Sequence, residues 1–475
     1  MNRYNKLISD TLLMAIGNFS SRALVFLLLP LYTYILTTED YGIADLFTTT
    51  ISMLIPILTL SISEATFRFA FDKDINQESN IFCSVLIVLL SGIIVLPITT
   101  ILSSWNESFG QYGIYFIMLY LTNALHTCFA NYARGTNHIR VYVFSSVIHT
   151  ILLIAFNILF LIVIKIGIKG YLLSMILAFT GSALYVFLRI KSWKAFLRKN
   201  LDIVLCKSML KFSIPMIIAT TSWWIMSSIS KYMIIEFFGI DESGVYGVAQ
   251  KIPTIISVLS SIFIQAWQIS AIDAQGKRDT SEFYTNVYKV YEIGLFVAAT
   301  GLILITKPLA NLLFQMDYFG AYVYVPVLIL SCIFSCLSSF MQGLFMAEKK
   351  SGVLLYSTLA GAIVSVIASY VLLTTIGTTG AAYATTLGFL VTWIVRIISS
   401  RKYVQIKLNW FKTITSMTLL LIESIVISND IPYGMLLSSL IVVFIMLLHI
   451  NEITTVLRGM INMIKSKLCF RKVKQ

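Results

Sequence analysis

Charge is what this sequence lacks. Charged residues fill 12% of its 475 positions, while hydrophobic residues fill 58%. A soluble domain carries about twice that share of charge, so a water-soluble fold built from this chain could not cover its own surface. Acids are the scarcer sign, with 22 Asp and Glu against 35 Lys and Arg. The four histidines (His126, His138, His149, His449) form no cluster. The six cysteines (Cys83, Cys128, Cys206, Cys332, Cys336, Cys469) lack metal-ligand spacing. A metal centre or a disulfide framework is therefore not expected, and the cysteines read as small buried hydrophobes. There is also no Gly-rich phosphate loop and no nucleotide-binding domain. No cofactor is expected, and any transport cycle would draw on an ion gradient, the membrane potential or the substrate gradient.

What the chain does have is apolar runs of about 20 residues, the length that crosses a hydrocarbon core. Only helices or closed barrels satisfy every backbone polar group in lipid. Barrel strands alternate in polarity over about 10 residues. Ile81–Leu102 and Val353–Leu373 show no alternation, so the spacing predicts helices. The reading is an all-α polytopic membrane protein with fourteen transmembrane helices. Residues 1–188 form one six-helix bundle, 189–210 a basic linker, 211–398 a second six-helix bundle, 399–450 two further helices and 451–475 a basic tail. The run from Asp10 to Leu36 has no small-residue cleavage site and reads as a retained first helix.

The net charge of +13 fits basic loops on one side of a membrane better than nucleic acid, which is not an expected partner. Nearly all Lys and Arg fall at one set of span ends. Lys165, Lys169 and Lys307 lie on the other side, and Arg22, Lys231 and Lys251 lie within spans. That bias places both termini in the cytoplasm. The basic stretches 189–211 and 458–474 enforce this topology and attract anionic membrane lipids.

The halves repeat. Glu39, Asp40 and Gly42 match Asp241, Glu242 and Gly244 at an offset of 202, and Gly167-x-x-Gly170 matches Gly377-x-x-Gly380. An even number of spans per half makes the repeats parallel, with a substrate site expected between them. In the eighth span Gln250, Thr254, Ser257, Ser261, Gln265 and Gln268 fall on one face of a continuous helix. Their repeat mates Thr48, Ser52, Ile55, Thr59, Ser63 and Thr66 are polar at all but one position. This pair of stripes is expected to line a cavity. Ser213, Thr220, Trp224, Ser227 and Lys231 share a face of the seventh span. Asn18 and Arg22 share one in the first. Intramembrane cations are costly and mark functional sites, so Arg22, Lys231 and Lys251 are the expected binding cations, although the lysines also lie close enough to the span ends to snorkel. Glu64 and Arg68 either neutralise one another or bind substrate. Glu292 and Glu423 have no evident partner. Pro30, Pro56, Pro215 and Pro253 are expected to kink their helices.

Four segments carry a resemblance: Tyr41-Gly42, Glu64-Ala-Thr-Phe-Arg68-Phe, Lys231-Tyr-Met-Ile-Ile through Gly244-Val-Tyr-Gly-Val-Ala-Gln-Lys251, and Gly377-Thr-Thr-Gly-Ala-Ala-Tyr-Ala-Thr-Thr. With them the chain resembles polysaccharide-export flippases of the multidrug/oligosaccharidyl-lipid/polysaccharide superfamily, the Wzx or O-antigen transporter type. The resemblance implies two bundles forming a V around a cationic cavity that binds the pyrophosphate of an undecaprenyl-linked oligosaccharide. It implies no catalysis, a bacterial inner-membrane location, and a polysaccharide polymerase with chain-length machinery as partners. Relatives often place Asp before the cation of the seventh span. Here that position is Ser230, which leaves Lys231 without the family's acid. Trp223, Trp224 and Trp267 suit sugar ring faces. The nearest rival is an ion-coupled small-molecule antiporter of the same superfamily, kept open by Asp45, Glu64 and Glu292. A membrane polymerase or ligase is disfavoured by the short outer loops.

Overall fold

The computed structural model describes Phe26 and residues 28–72, 75–198, 201–274, 280–348, 350–404 and 406–454. The described residues are helical and loop, with no strand. Seventeen helices are named here: α1 Leu29–Ile35, α2 Thr38–Leu58, α3 Ile62–Phe69, α4 Gln77–Trp105, α5 Gly113–Gly135, α6 Ile139–Asn157, α7 Gly167–Arg189, α8 Trp193–Arg198, α9 Ile203–Phe238, α10 Ile240–Ala249, α11 Thr254–Ala274, α12 Thr280–Leu304, α13 Val325–Ala347, α14 Ser351–Ile376, α15 Thr379–Ser400, α16 Trp410–Ser428 and α17 Gly434–Leu448. Among the described residues eleven helices are long and apolar enough to cross a membrane, and α10 with α11 makes a twelfth, bent by 49°. The apolar α17 is shorter, with 15 residues, and the first expected span lies mostly outside the described residues.

Local chemistry sets the helix ends. Thr37 caps α2 by accepting the Asp40 amide, and Glu39 and Asp40 occupy the positive first turn. Asp202 caps α9 by accepting the Val204 and Leu205 amides, each at 3.0 Å. At 36 residues α9 is about 54 Å long, so it overruns a hydrocarbon core and absorbs part of the basic linker.

Packing divides the chain into two units. The first contains residues 1–251, 313–319 and 365–381, and the second contains 252–312, 320–364 and 382–475. The first packing unit runs past the 189–210 linker because α9 and α10 pack against α2. Its core includes a triad of Phe47, Phe109 and Phe116 with ring centroids 5.0–5.1 Å apart. A second cluster, around Ile62, Ile81, Cys128 and Met209, closes one end. In the second unit α13 is the central helix, buried along nearly its whole length.

The long repeat helices are broken, which the single-face reading of the polar stripes did not anticipate. The second span breaks at Thr59–Ser61, where Leu60 and Ser61 take φ of 53° and 52°. The eighth breaks at Gln250–Pro253, and Pro253 has no N–H to continue the ladder. The two breaks are not repeat-equivalent. Pro215, by contrast, sits inside a helix that continues through it, and Pro30 stands in the first turn of α1, with most of the expected first span before it outside the described residues.

Candidate functional site

The repeat is the key to the first unit. A Cβ on Gly42 would strike the Ile240 carbonyl, and one on Gly244 would strike the Thr38 carbonyl. These are the same contact written twice, since the offset of 202 carries Thr38 onto Ile240 and Gly42 onto Gly244. α2 and α10 therefore cross backbone to backbone at a matched glycine pair, and Thr38 Oγ1 donates across to Asp241 at 2.8 Å.

One turn further, the symmetry fails. The offset carries Asp45 onto Gly247, and a Cβ on Gly247 would lie 2.9 Å from Asp45 Oδ2. The missing side chain of one repeat makes room for the carboxylate of the other. Asp45 is buried, with 6% of its side chain exposed. Its Oδ2 accepts from Lys231 Nζ at 2.5 Å, and Lys251 Nζ lies 4.0 Å from Oδ1. Lys231 is 10% exposed and also donates to Thr49 Oγ1 at 3.5 Å, whereas Lys251 is 42% exposed. The cluster thus holds one carboxylate and two ammoniums. Burying it requires the pairing, because an unpaired charge there would cost several kcal/mol.

An amphipathic wall adjoins the cluster. Trp224 Nε1 donates to the Thr49 carbonyl and to Ser52 Oγ, both at 3.0 Å. Tyr232 shares a 2.7 Å hydrogen bond with Thr50 and stacks on Trp105, whose Nε1 donates to Glu236. Indole and phenol groups of this kind present a flat apolar face beside fixed polar tips.

Several expected site residues fall elsewhere. Asn18 and Arg22 lie outside the described residues. Arg68 pairs with Asp72 at 3.0 Å on an exposed turn, and no ion pair joins it to Glu64 among the described residues. Gln250 stays with Lys251 at the end of α10, but Ser257, Ser261, Gln265 and Gln268 belong to the second unit. There Ser257 bonds Cys332 at 3.1 Å and Ser261 donates to its own helix. Trp267 is buried, stacked 4.2 Å from Phe340 and bonded to the Phe340 carbonyl, so it forms part of the core and not a sugar platform.

The sequence reading missed the pairing of Asp45, which it had named only as support for an antiporter, and the burial of Arg396. Asp45 is the acid partner that Ser230 does not supply; the offset onto Gly247 was the available signal. Arg396, grouped by sequence with the span ends, is 1% exposed. It donates to the Ser338 carbonyl at 2.6 Å and to Ser357 Oγ at 3.0 Å. The isolated acids also gain partners: Glu292 accepts from Thr413, and Glu423 from Thr300 and Ser438.

A family described as polysaccharide biosynthesis proteins matches residues 7–272. No curated protein matches in sequence. Among solved structures, the chain is similar to an inward-facing multidrug resistance transporter of the MATE family and MOP superfamily, with TM-score 0.68 and 17% identity over 82% of this chain and 97% of that one. It is also similar to the lipid II flippase MurJ in an inward closed conformation, with TM-score 0.66 and 16% identity over 95% and 100%. A third similar structure is a MOP superfamily transporter from Pyrococcus furiosus, with TM-score 0.59 and 15% identity over 83% and 95%. The chain shares the fold of these three structures.

Proposed function

The chain belongs to the polysaccharide biosynthesis protein family, and from that premise we propose that it is a flippase carrying an undecaprenyl-pyrophosphate-linked oligosaccharide from the cytoplasmic to the outer leaflet of a bacterial inner membrane. Both termini lie in the cytoplasm, transport proceeds by alternating access, and the glycan feeds a surface polysaccharide of the O-antigen kind. The observation that carries this reading is the Asp45–Lys231–Lys251 cluster, which holds two positive charges against one negative beside a wall of Trp and Tyr. An anionic headgroup needs fixed cations in a low-dielectric setting, and sugar rings need flat amphipathic faces. Lys251, the more exposed ammonium, meets the diphosphate. The buried Asp45–Lys231 pair ties α2 to α9, and protonation of Asp45 would release a second ammonium to the substrate. Arg22 adds a guanidinium fork to the same headgroup.

Complementation tests this in a strain lacking its own flippase, with protein level checked in parallel. Loss of one charge-assisted contact weakens binding by about 1.5–3 kcal/mol, roughly 10- to 150-fold. Lys251→Ala and Arg22→Ala should lose most surface polysaccharide, with Arg22→Lys intermediate. Full polysaccharide from well-expressed Lys251→Ala and Arg22→Ala proteins would sink the cationic-site reading. A buried acid at the site and the likeness to a multidrug transporter favour a second reading, a cation-exporting antiporter. That reading predicts dye efflux abolished by Asp45→Asn, and the flippase reading predicts no efflux at all.

A further inference from the structure

Away from the charged cluster, the first unit carries an apolar groove of about 350 Å³ between α4, α5 and α7. Its walls include Leu89, Leu125, Phe129, Ala183 and Phe187, and Phe196 of the short helix α8 closes one end. The groove opens outward, since Leu89 and Leu184 on its rim are 46% and 51% exposed. Its two polar side chains, Thr122 and Thr180, donate to carbonyls of their own helices at 2.8 and 2.7 Å. No donor of the wall is left for the carbonyls of a peptide backbone, which would go unsatisfied there. A hydrocarbon chain has no such need.

The closed end is built differently. α8 is pinned by buried Ala195 and by Phe196, whose ring sits 5.5 Å from Phe82 and 5.9 Å from Phe187. Lys191 takes the left-handed turn that redirects the chain from α7 into α8. The exposed side of this corner carries Arg189, Lys191 and Lys194 together with Trp193. Arg189 follows Phe187 by two residues and Lys194 precedes Phe196 by two, so the exposed cations belong to the chain segment that closes the groove at its α8 end. A Trp with flanking Lys and Arg is the composition that settles at a membrane–water interface.

We propose that this corner is a binding site for an anionic phospholipid, with one acyl chain in the groove and the headgroup phosphate on Arg189, Lys191 and Lys194. The apolar wall selects a lipid over a peptide, and the three cations select an acidic headgroup over a zwitterionic one. Such a lipid would fix α8 across the ends of α4 and α7. The site is independent of the transported substrate, so it stands or falls separately from the flippase reading.

The test uses the full-length protein in detergent, titrated with dioleoyl phosphatidylglycerol or dioleoyl phosphatidylcholine and read by native mass spectrometry. The wild type should retain one phosphatidylglycerol at least about tenfold more tightly than phosphatidylcholine. Each cation near a membrane surface contributes about 1 kcal/mol to anionic-lipid attraction, about fivefold in affinity. Replacing Arg189, Lys191 and Lys194 by Gln should therefore erase the preference while leaving phosphatidylcholine retention unchanged. Leu89→Trp, which fills the groove from its rim, should weaken both lipids. If the triple variant melts early without lipid, Lys194→Gln alone should still lose about fivefold. Equal retention of the two lipids by the wild type would overturn the proposal. So would a preference for phosphatidylglycerol that survives in a stable charge variant.

Discussion

The two packing units bury ionisable groups in opposite ways. In the first, Asp45 is matched by Lys231 and Lys251, charge against charge. In the second, Glu292, Glu423 and Arg396 are met by hydroxyls and a carbonyl. The second arrangement is a set of staples. Thr413–Glu292 and Thr300–Glu423–Ser438 tie α16 and α17 to α12, and Ser416–His449 and Lys412–Glu452 extend the same seam. These are the two helices outside the repeat, and hydrogen bonds give them a register that their apolar surfaces alone do not fix. The first arrangement keeps formal charge inside the unit, which packing does not require. Buried charge that is paired but retained points to work on a charged ligand.

The largest expected effect comes from halving the ion pair. Asp45→Ala leaves a buried ammonium without its acid, a loss of about 3–5 kcal/mol, seen as a sharp fall in melting temperature and in surface polysaccharide. The double replacement Asp45→Leu with Lys231→Met should recover the melting temperature and not the polysaccharide. Recovery of both would reduce the pair to packing.

Next comes the space that Gly247 provides. Gly247→Ala puts a methyl 2.9 Å from the Asp45 carboxylate, and overpacking of this kind costs about 1–3 kcal/mol. Ala at the repeat-mate crossing, Gly244, meets backbone instead of a side chain and should destabilise more while acting less specifically on transport. Comparing each variant's loss of melting temperature with its loss of polysaccharide separates the two effects.

In the second unit the expected effects are smaller. Glu423→Leu removes the shared acceptor of Thr300 and Ser438 and should cost only about 0.5–1.5 kcal/mol, because both hydroxyls can turn to their own helix carbonyls. Hydrogen exchange should then rise in α16 and α17 and not in α2. The smallest effect lies at the loop joining those helices. A hydrogen bond from Lys307, aided by the Tyr322 hydroxyl, holds the Asp430 carboxyl below its ordinary range. Its folded-state pKa is depressed, so its contribution is present above the unfolded value and is lost as pH falls through the folded one. In Asp430→Asn the neutral plateau of a stability–pH curve should fall slightly and the acid limb become correspondingly shallower, the variant and the wild type converging at low pH.

How much of this was legible follows from the physics of each feature. The spans and the repeat were readable because lipid demands long apolar runs and because Gly42 and Gly244 mark a crossing that admits no side chain. The site was half readable. Lys231 and Lys251 stood out as cations in apolar surroundings, but the acid of Lys231 comes from 186 residues away, beyond any local search, and Lys251 shares it. Arg68 illustrates the local version of the same failure: acids stand four residues on either side of it, and only Asp72 pairs. The helix breaks were hidden for a different reason. Pro253 ends a helix while Pro215 does not, and the left-handed turn at Leu60 and Ser61 carries no glycine to announce it.

The central claim is that the carboxylate of the first unit serves transport and that of the second serves packing. Asp45→Asn and Glu423→Gln each replace one buried carboxyl group by an amide at nearly constant shape, so they should be compared side by side in the flippase-deficient strain at matched protein levels. The account predicts that Asp45→Asn loses surface polysaccharide and accumulates the lipid-linked precursor, while Glu423→Gln behaves as wild type. Equal activity of the two variants, or loss confined to Glu423→Gln, would contradict it.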